Sequence, residues 1–313
     1  MIYVLIIAGL GLLYFGAELL VKGASSLACR MGVSPLVIGL TVVAYGTSAP
    51  EMTVSVQASL QGLGDIAAAN VVGSNSFNIA FILGIAALIC PIRVSRQLIR
   101  RDVPVMIAVS VLCILFLLDR HLSHIEGLLL FGGIVVYTVW IFFLASREPD
   151  GSISNEIPSE LSKKPAAFTT SIIFILLGLA LLVAGSKMLI EGSVRMARIF
   201  GISEVVIGLT IISAGTSLPE LATSVVAALR KQPDIAVGNI VGSNIFNILA
   251  ILGVSSLLSP YSAPGLSGVD LAMMLAMSVV SLPLMWSGFV LSRVEGLVFL
   301  LFYGLYLSYL WPG

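Results

Sequence analysis

Along the chain, long apolar stretches alternate with short polar joints. Apolar runs cover residues 2–21, 34–60, 66–90, 103–119, 123–146, 168–190, 203–229, 235–258, 269–287 and 292–311. Each approaches or exceeds the roughly 20 residues that a membrane-spanning helix needs. The pattern predicts ten spans. Continuous runs of this length favour helices over the short alternating strands of a barrel, because backbone polar groups in hydrocarbon must be satisfied within their own segment. The first run has no Lys or Arg before it and no small-residue cleavage signature after it, so it reads as a retained helix rather than a signal peptide.

The pattern also repeats. IGLTVVAYGTSAPEMTVSVQASL from Ile38 returns as IGLTIISAGTSLPELATSVVAAL from Ile207, and DIAAANVVGSNSFNIAFILG from Asp65 returns as DIAVGNIVGSNIFNILAILG from Asp234. Both offsets are 169, since 207 − 38 = 234 − 65 = 169, and 27 of the 47 positions from Ile38 to Gly84 are identical to their counterparts. A fainter echo, SHIEGLLLF from Ser123 against SRVEGLVFL from Ser292, keeps the same offset. Five spans per copy is an odd number, so the second copy must enter the membrane with opposite polarity. The fold expected is therefore an all-α integral membrane protein with ten transmembrane helices, arranged as two inverted five-helix repeats. The first repeat occupies residues 1–146 and the second 168–313. Between them, residues 147–167 form a cytoplasmic linker, polar and rich in Ser and Pro, without the ligand spacing of a calcium-binding loop.

Composition agrees: 58% of residues are hydrophobic and 10% charged, with a mean hydropathy of +1.09, where soluble domains carry roughly 25% charge. The surrounding partner is membrane lipid, and a net charge of zero implies no nucleic acid. With the N-terminus outside, twelve of the sixteen Lys and Arg fall on the cytoplasmic side and four, Arg120, Lys187, Arg195 and Arg198, on the outer side. By the positive-inside rule both termini face outward, in a plasma (inner) membrane. Cys29, Cys90 and Cys113 show no paired spacing, which speaks for structural thiols rather than disulfides or a thiolate metal site.

Polar residues inside the apolar runs carry the chemistry. Thr47, Glu51 and Ser55 are spaced by four, as are Asn70, Ser74 and Asn78, and the second copy reproduces both stripes as Thr216, Glu220 and Ser224, and Asn239, Ser243 and Asn247. Such spacing lines one helical face. Ser48 and Ser217 widen the stripes. Ser, Thr and Asn commonly join membrane helices at about 0.6 kcal/mol per hydrogen bond, and that role suits Ser55, Ser224, Asn70 and Asn239 as well as ligation does. It does not suit Glu51 and Glu220. A mid-membrane charge costs about 2.5 to 3.5 kcal/mol on the insertion scale, and the facing stripes hold no Lys or Arg. A cation is the natural compensation.

Proline at 50 and 219 lacks an N–H and clashes with the carbonyl four residues earlier, at Gly46 and Gly215. A break there is expected to free carbonyls near Ala44 and Thr47, and near Ser213 and Thr216, which is tolerated at this depth where backbone lines a cavity. Carboxylate and carbonyl oxygens together suit a hard cation; calcium takes six to eight oxygens. His121 and His124, in an expected outer loop, are solvated, so zinc and copper are disfavoured. Two carboxylates balance one Ca²⁺ or two Na⁺, so the two cargoes can compete for one site. Glu126 and Glu295 open their spans as favourable helix N-terminal charges, Pro104 and Pro283 are expected to make local kinks, and Trp140, Trp286 and Trp311 suit an interfacial belt.

GTSAPE at 46–51 and GTSLPE at 215–220, each followed by NVVGSNSFN or NIVGSNIFN, resemble the two alpha repeats of the sodium/calcium exchanger family within the cation/calcium exchanger superfamily. The resemblance covers nearly the whole chain and is similar to a compact prokaryotic member. It implies an electrogenic Na⁺/Ca²⁺ antiporter working by alternating access, with Ca²⁺ and Na⁺ as transported ions and no resident cofactor. By position it implies Glu51 and Glu220 as ligands of both ions, with the carbonyls of Thr47 and Thr216 on calcium. Hydroxyls of Thr47, Ser48, Thr216, Ser217, Ser74 and Ser243, and backbone at Ala44 and Ser213, match flanking sodium sites, and Asn78 and Asn247 the central positions. Family members can carry Asp where this chain has Asn247, which argues against potassium co-transport. The resemblance also implies that the first and sixth spans slide across the rest, and Gly16, Gly23, Gly185 and Gly192 in that pair are small enough for close sliding contact.

A proton/calcium antiporter is the nearest rival, since buried carboxylates can take protons; the hydroxyls beside them favour sodium. A passive channel suits two inverted broken helices less well. No G-x-S-x-G, His cluster or catalytic dyad is present, so the chain is not read as an enzyme.

Overall fold

Hydropathy falls at Lys22, yet helix α1 continues from Ile2 to Met31. Lys22, Ser25 and Ser26 are polar without being helix breakers, and the helix stops only where Gly32 enters the left-handed region at φ 65° and Val33 N–H donates to the Ala28 carbonyl at 3.1 Å. Its repeat counterpart, α7 (Phe168–Ile199), likewise outruns its apolar run and is followed by Gly201 at φ 72°. Helices of 30 and 32 residues reach ~45 Å at 1.5 Å per residue, against a hydrocarbon core of about 30 Å. They must tilt or project.

This computed structural model describes residues 2–147, 166–201 and 213–310, so most of the expected linker, at 148–165, and the start of the seventh apolar run, at 202–212, lie outside the described residues, as does Trp311. After α1 come α2 (Pro35–Thr47), α3 (Ala49–Leu60), α4 (Gly64–Ile89), α5 (Val103–Phe116) and α6 (His124–Ala145). After α7, a short turn at Ser213–Gly215 leads into α8 (Leu218–Leu229), α9 (Pro233–Leu258), α10 (Gly268–Trp286) and α11 (Arg293–Leu310). Seven of these, α1, α4, α6, α7, α9, α10 and α11, are long and apolar enough to cross a membrane, and α2 and α8 are shorter apolar helices. The protein is an all-helical integral membrane protein. The expected run 34–60 is thus two helices meeting at Ser48, where ψ is 7° and Pro50 begins the second.

Sequence expectations at the helix starts hold. Ser123 and Glu126 form a reciprocal capping box at α6, and Glu295 accepts from Ser292 N–H at α11. Ser267 and Asp270 form a third box at α10. Pro104 sits in the first turn of α5, a position that needs no N–H donor, so it starts a helix instead of kinking one. Pro283 does lie inside α10. Trp140 and Trp286 are exposed near helix ends, and His121 and His124 are exposed.

The two repeats interlock at both ends. Strand β1 (Ile92–Arg93) pairs antiparallel with β4 (Val290–Leu291), and β2 (His121–Leu122) with β3 (Tyr261–Ser262). Adding or subtracting 169 turns the pair Ile92–Leu291 into Tyr261–Leu122, so one two-stranded sheet is the repeat image of the other.

Glycine joins α1 to α7. A Cβ on Gly16 would lie 2.9 Å from the Gly178 carbonyl oxygen, and one on Gly185 would lie 2.8 Å from that of Gly9. Further along, Gly23 faces Ser171 and Gly192 faces Ile6, so the two helices run antiparallel. Neither has room for a side chain at this seam. The glycines expected to ease sliding thus face the partner helix of the pair rather than the rest of the bundle, and bring α1 and α7 into backbone contact.

Candidate cation site

Ser48 closes α2 and opens α3, and Ser217 stands at the same place before α8. Each reaches across to the other copy. The Ser48 hydroxyl donates to Glu220 Oε1 at 2.9 Å, and the Ser217 hydroxyl donates to Glu51 Oε1 at 2.8 Å. Ser217 also lies 3.3 Å from the Ser74 hydroxyl, which brings the α4 stripe to the same point. Glu51 and Glu220 are 0% exposed, in the first turns of α3 and α8, where helix N-termini favour negative charge.

What these groups lack matters as much. Glu51 Oε2, Glu220 Oε2, Asn78 Oδ1 and Asn247 Oδ1 are buried oxygens with no hydrogen-bond donor. All four are acceptors, and they form two repeat-related pairs. Leaving such oxygens unpaired costs about 1 to 3 kcal/mol each, and no Lys or Arg among the described residues pairs with either Glu. Nor, among the described residues, do three or more His, Cys, Asp or Glu gather at one point. The donor set is two carboxylates with amide and hydroxyl oxygens, hard ligands of the kind that Na⁺ and Ca²⁺ accept.

Asn78 and Asn247 each open a stretch of π-helix, Asn78–Ile82 and Asn247–Leu252, within α4 and α9. A third such stretch, Gly39–Val43, precedes Ala44 in α2. Wide turns of this type collect at functional sites.

The remaining sequence candidates divide. Thr47, Ser74 and Ser243 are buried around the same point; Thr47 Oγ1 donates to Asn239 Oδ1 at 3.0 Å, and Thr216 is half-buried beside Ser217. The Ala44 carbonyl, expected to be freed, instead accepts from Ser48 N–H at 3.1 Å, with the Thr47 and Ser243 hydroxyls at 3.3 and 3.4 Å. The helix survives at Ala44 because the missing donor is Pro50, not Ser48. Ser213 opens its turn, and only its backbone is described. Asn70 and Asn239 act as joints: Asn70 Nδ2 donates to the Glu51 carbonyl at 3.2 Å and to Ser55 Oγ at 2.9 Å, and Asn239 repeats this on Glu220 and Ser224 at 3.4 and 3.0 Å.

Two residues escaped sequence reading. Asn75 Oδ1 accepts from Asn247 Nδ2 at 3.0 Å, and Asn244 Oδ1 accepts from Asn78 Nδ2 at 3.1 Å. Their signal was present in the identical GSN of both copies, three residues before each central Asn. At three residues before the central Asn, both lie off the spacing of four that the polar stripes follow.

Acceptors concentrated without donors, at the meeting of two copies of one motif inside a membrane bundle, define a cation carrier. Comparison with known proteins narrows the class. The sodium/calcium exchanger protein family matches residues 1–143 and 170–311. The chain is 43% identical to the "Putative antiporter CaxA" of Alkalimonas amylolytica, over 95% of each chain. It is 34% identical to the "Sodium/calcium exchanger MaX1" of Methanosarcina acetivorans, over 96% of each. A solved structure of the sodium-calcium exchanger NCX_Mj, soaked with 10 mM Na⁺ and 10 mM Sr²⁺, superposes with a TM-score of 0.84 at 31% identity, covering 98% of this chain and 99% of that one. The chain belongs to the sodium/calcium exchanger family, as a compact prokaryotic member, and is a cation/calcium antiporter.

Proposed function

We propose that this protein exchanges Na⁺ for Ca²⁺ by alternating access, as a carrier and not an enzyme. One observation carries the reading: the repeat-related carboxylates of Glu51 and Glu220 are fully buried, each hydrogen-bonded through one oxygen to the other copy's serine, each with its second oxygen unpaired. Their charge of −2 is neutralised by one Ca²⁺ or by two Na⁺. Either cargo discharges the site, and neither needs the other present. A third Na⁺ would make the loaded site positive and the exchange electrogenic. Asn78, Asn247, Thr47, Thr216, Ser48, Ser217, Ser74, Ser243 and the backbone at Ala44 and Ser213 supply the remaining oxygens in this proposal.

The membrane plan belongs to the same proposal: ten spans as two inverted five-helix repeats, 1–146 and 168–313, with both termini outside an inner membrane. Antiparallel α1 and α7, the first helices of the two copies, support inversion. Strand pairs that join a loop of one copy to a loop of the other are also those that ten spans would place on common sides.

The test is transport into liposomes. Purified protein in Na⁺-loaded vesicles should take up external radioactive Ca²⁺, and collapse of the Na⁺ gradient should stop uptake. Glu51→Gln and Glu220→Gln should each reduce uptake to the protein-free background. Uptake driven by a pH gradient with no Na⁺ would make protons the counter-ion, uptake without any gradient would indicate a channel, and an active double variant would overturn the site.

A further inference from the structure

We infer that Asn75 and Asn244 are positioning residues, which turn the side-chain oxygens of Asn78 and Asn247 toward the exchanged cation. The inference rests on the cation-site reading above and extends it to residues that need not touch the ion.

An asparagine amide has two faces of opposite character. Its oxygen attracts a cation, and its NH₂ repels one. A central Asn that rotated by half a turn would present the wrong face, so something must fix the choice. In this protein the choice is fixed from the other repeat. Asn78 Nδ2 is spent on Asn244 Oδ1 at 3.1 Å, and Asn247 Nδ2 on Asn75 Oδ1 at 3.0 Å. The oxygens of Asn78 and Asn247 are the ends left without a partner. Rotation would set oxygen against oxygen at both contacts and leave two buried NH₂ groups aimed at the cation.

One holder is itself firmly held. Asn75 Nδ2 donates to the Asn244 main-chain carbonyl at 3.1 Å, so one holder is tied to the backbone that carries the other. Asn244 Nδ2 reaches only Met106 Sδ at 3.6 Å, a weak acceptor. All four amides are at most 1% exposed, which excludes solvent as a substitute partner. The quartet is neutral, so it orients ligands without adding to the charge of the two carboxylates.

The experiment uses the purified full-length chain, with Ca²⁺-dependent thermal stabilisation in detergent and Na⁺-driven Ca²⁺ uptake in liposomes as separate readouts. Asn244→Leu removes the acceptor that holds Asn78. It should raise the Ca²⁺ concentration for half-maximal stabilisation and uptake by about tenfold, equivalent to ~1.4 kcal/mol, while maximal uptake changes much less. Asn244→Gln keeps a neutral amide oxygen able to accept from Asn78 Nδ2, so it should restore wild-type Ca²⁺ dependence to within about threefold, in line with one weakened bond. Combined with Asn78→Leu, Asn244→Leu should add no further loss, because it acts through Asn78.

Purely structural roles would lower the melting temperature of Asn244→Leu without moving the Ca²⁺ dependence of the folded fraction, and that result overturns the inference. Additive losses in the double variant overturn it too. If Asn244→Leu does not fold, Asn75→Leu carries the same expectations through Asn247. A wild-type chain that Ca²⁺ does not stabilise would sink the cation-site reading itself, and this inference with it; a stabilised wild type with an unmoved Asn244→Leu sinks the inference alone.

Discussion

Helices α3 and α8 are copies of one another, and each begins with one of the two buried glutamates, but their flanks differ. Helix α1 packs along α8, whose Thr223, Val226, Ala227 and Ala228 are at most 4% exposed. The repeat image of that contact would be α7 against α3. Among the described residues those two helices barely meet, and Thr53, Val54 and Gln57 on α3 are exposed. Instead α7 lies over the centre, with Leu179 against Gly46, Ile190 against Gly215 and the Ser186 hydroxyl donating to the Gly215 carbonyl at 2.6 Å. So a site that is symmetric in its ligands, with both carboxylates buried, has one flank closed by a packed helix and one flank left uncovered among the described residues. Part of the inequality is chemical: α3 carries Thr53 and Gln57 where α8 carries Ala222 and Val226. An apolar flank suits a helix partner, and a polar flank suits water. A carrier that admits its cargo from one side at a time needs this inequality, and must be able to reverse it.

Reversal by movement of α1 and α7 together requires that they stay joined, which gives the largest expected effect. Leucine at Gly16 would drive a side chain into the Gly178 backbone, 2.9 Å from where its Cβ would begin. Overpacking costs about 1 to 3 kcal/mol where neighbours can yield, and backbone yields less than side chains. Gly16→Leu should lose most Na⁺-driven Ca²⁺ uptake and lower the melting temperature, and Gly185→Leu should behave alike because its seam is the same. Gly11→Leu is the matched control, since no described atom lies within 4 Å of a Cβ there. Uptake and melting of Gly16→Leu at the level of Gly11→Leu would separate α1 from α7 and end the paired-movement account.

A smaller effect should come from the closed side. Glu18 of α1 pairs with Arg230 at the end of α8, 2.6 Å apart, where the contact seals. Both partners are partly exposed, so the pair is a weak, salt-screened contact that biases the two states only slightly. With Thr223→Cys as reporter and the three native cysteines replaced by serine, Glu18→Gln should speed labelling by a water-soluble thiol reagent a few-fold. The exchanged pair, Glu18→Arg with Arg230→Glu, should bring it back. Labelling that ignores all of these changes would mean that apolar packing alone closes this side.

Much of this was legible in the sequence, and the reason is physical. Burying carboxylates in hydrocarbon is costly enough that Glu51 and Glu220 could be singled out with no structure, and a repeat of constant offset made each the check on the other. Hydropathy located the helices but not their ends: α1 and α7 run about ten residues past their apolar runs because helix termination depends on backbone geometry at Gly32 and near Gly201, not on polarity. The glycine seam was seen as small residues, and its meaning changed once its partner was known, since a sequence does not say which helix a glycine faces. Asn75 and Asn244 were hidden for a related cause. Their hydrogen bonds run between repeats, and a spacing rule works within one helix.

The comparison can be sharpened by supplying what the open side lacks. Subtracting or adding 169 places Gln61 of α3 opposite Arg230 of α8, and Lys187 of α7 opposite Glu18 of α1, so the ion pair of the closed side has only half its image. Lys187 is exposed and Gln61 is exposed at the end of α3. Gln61→Glu would complete the image, giving the reversed state the same kind of attachment that the present one has. An exposed pair is worth at most about 1 kcal/mol, so this effect is the smallest. It should slow labelling of a Val54→Cys reporter and speed labelling of Thr223→Cys, each about two- to fivefold on that scale. Both changes should fade at 1 M salt, where screening shortens to about 3 Å, and both should vanish when Lys187→Gln removes the intended partner. Opposite shifts at the two reporters are the specific outcome, because a merely loosened protein would expose both. If Gln61→Glu moves neither reporter at low salt, then Lys187 never approaches the end of α3, and the reversed state is not the repeat image of the present one.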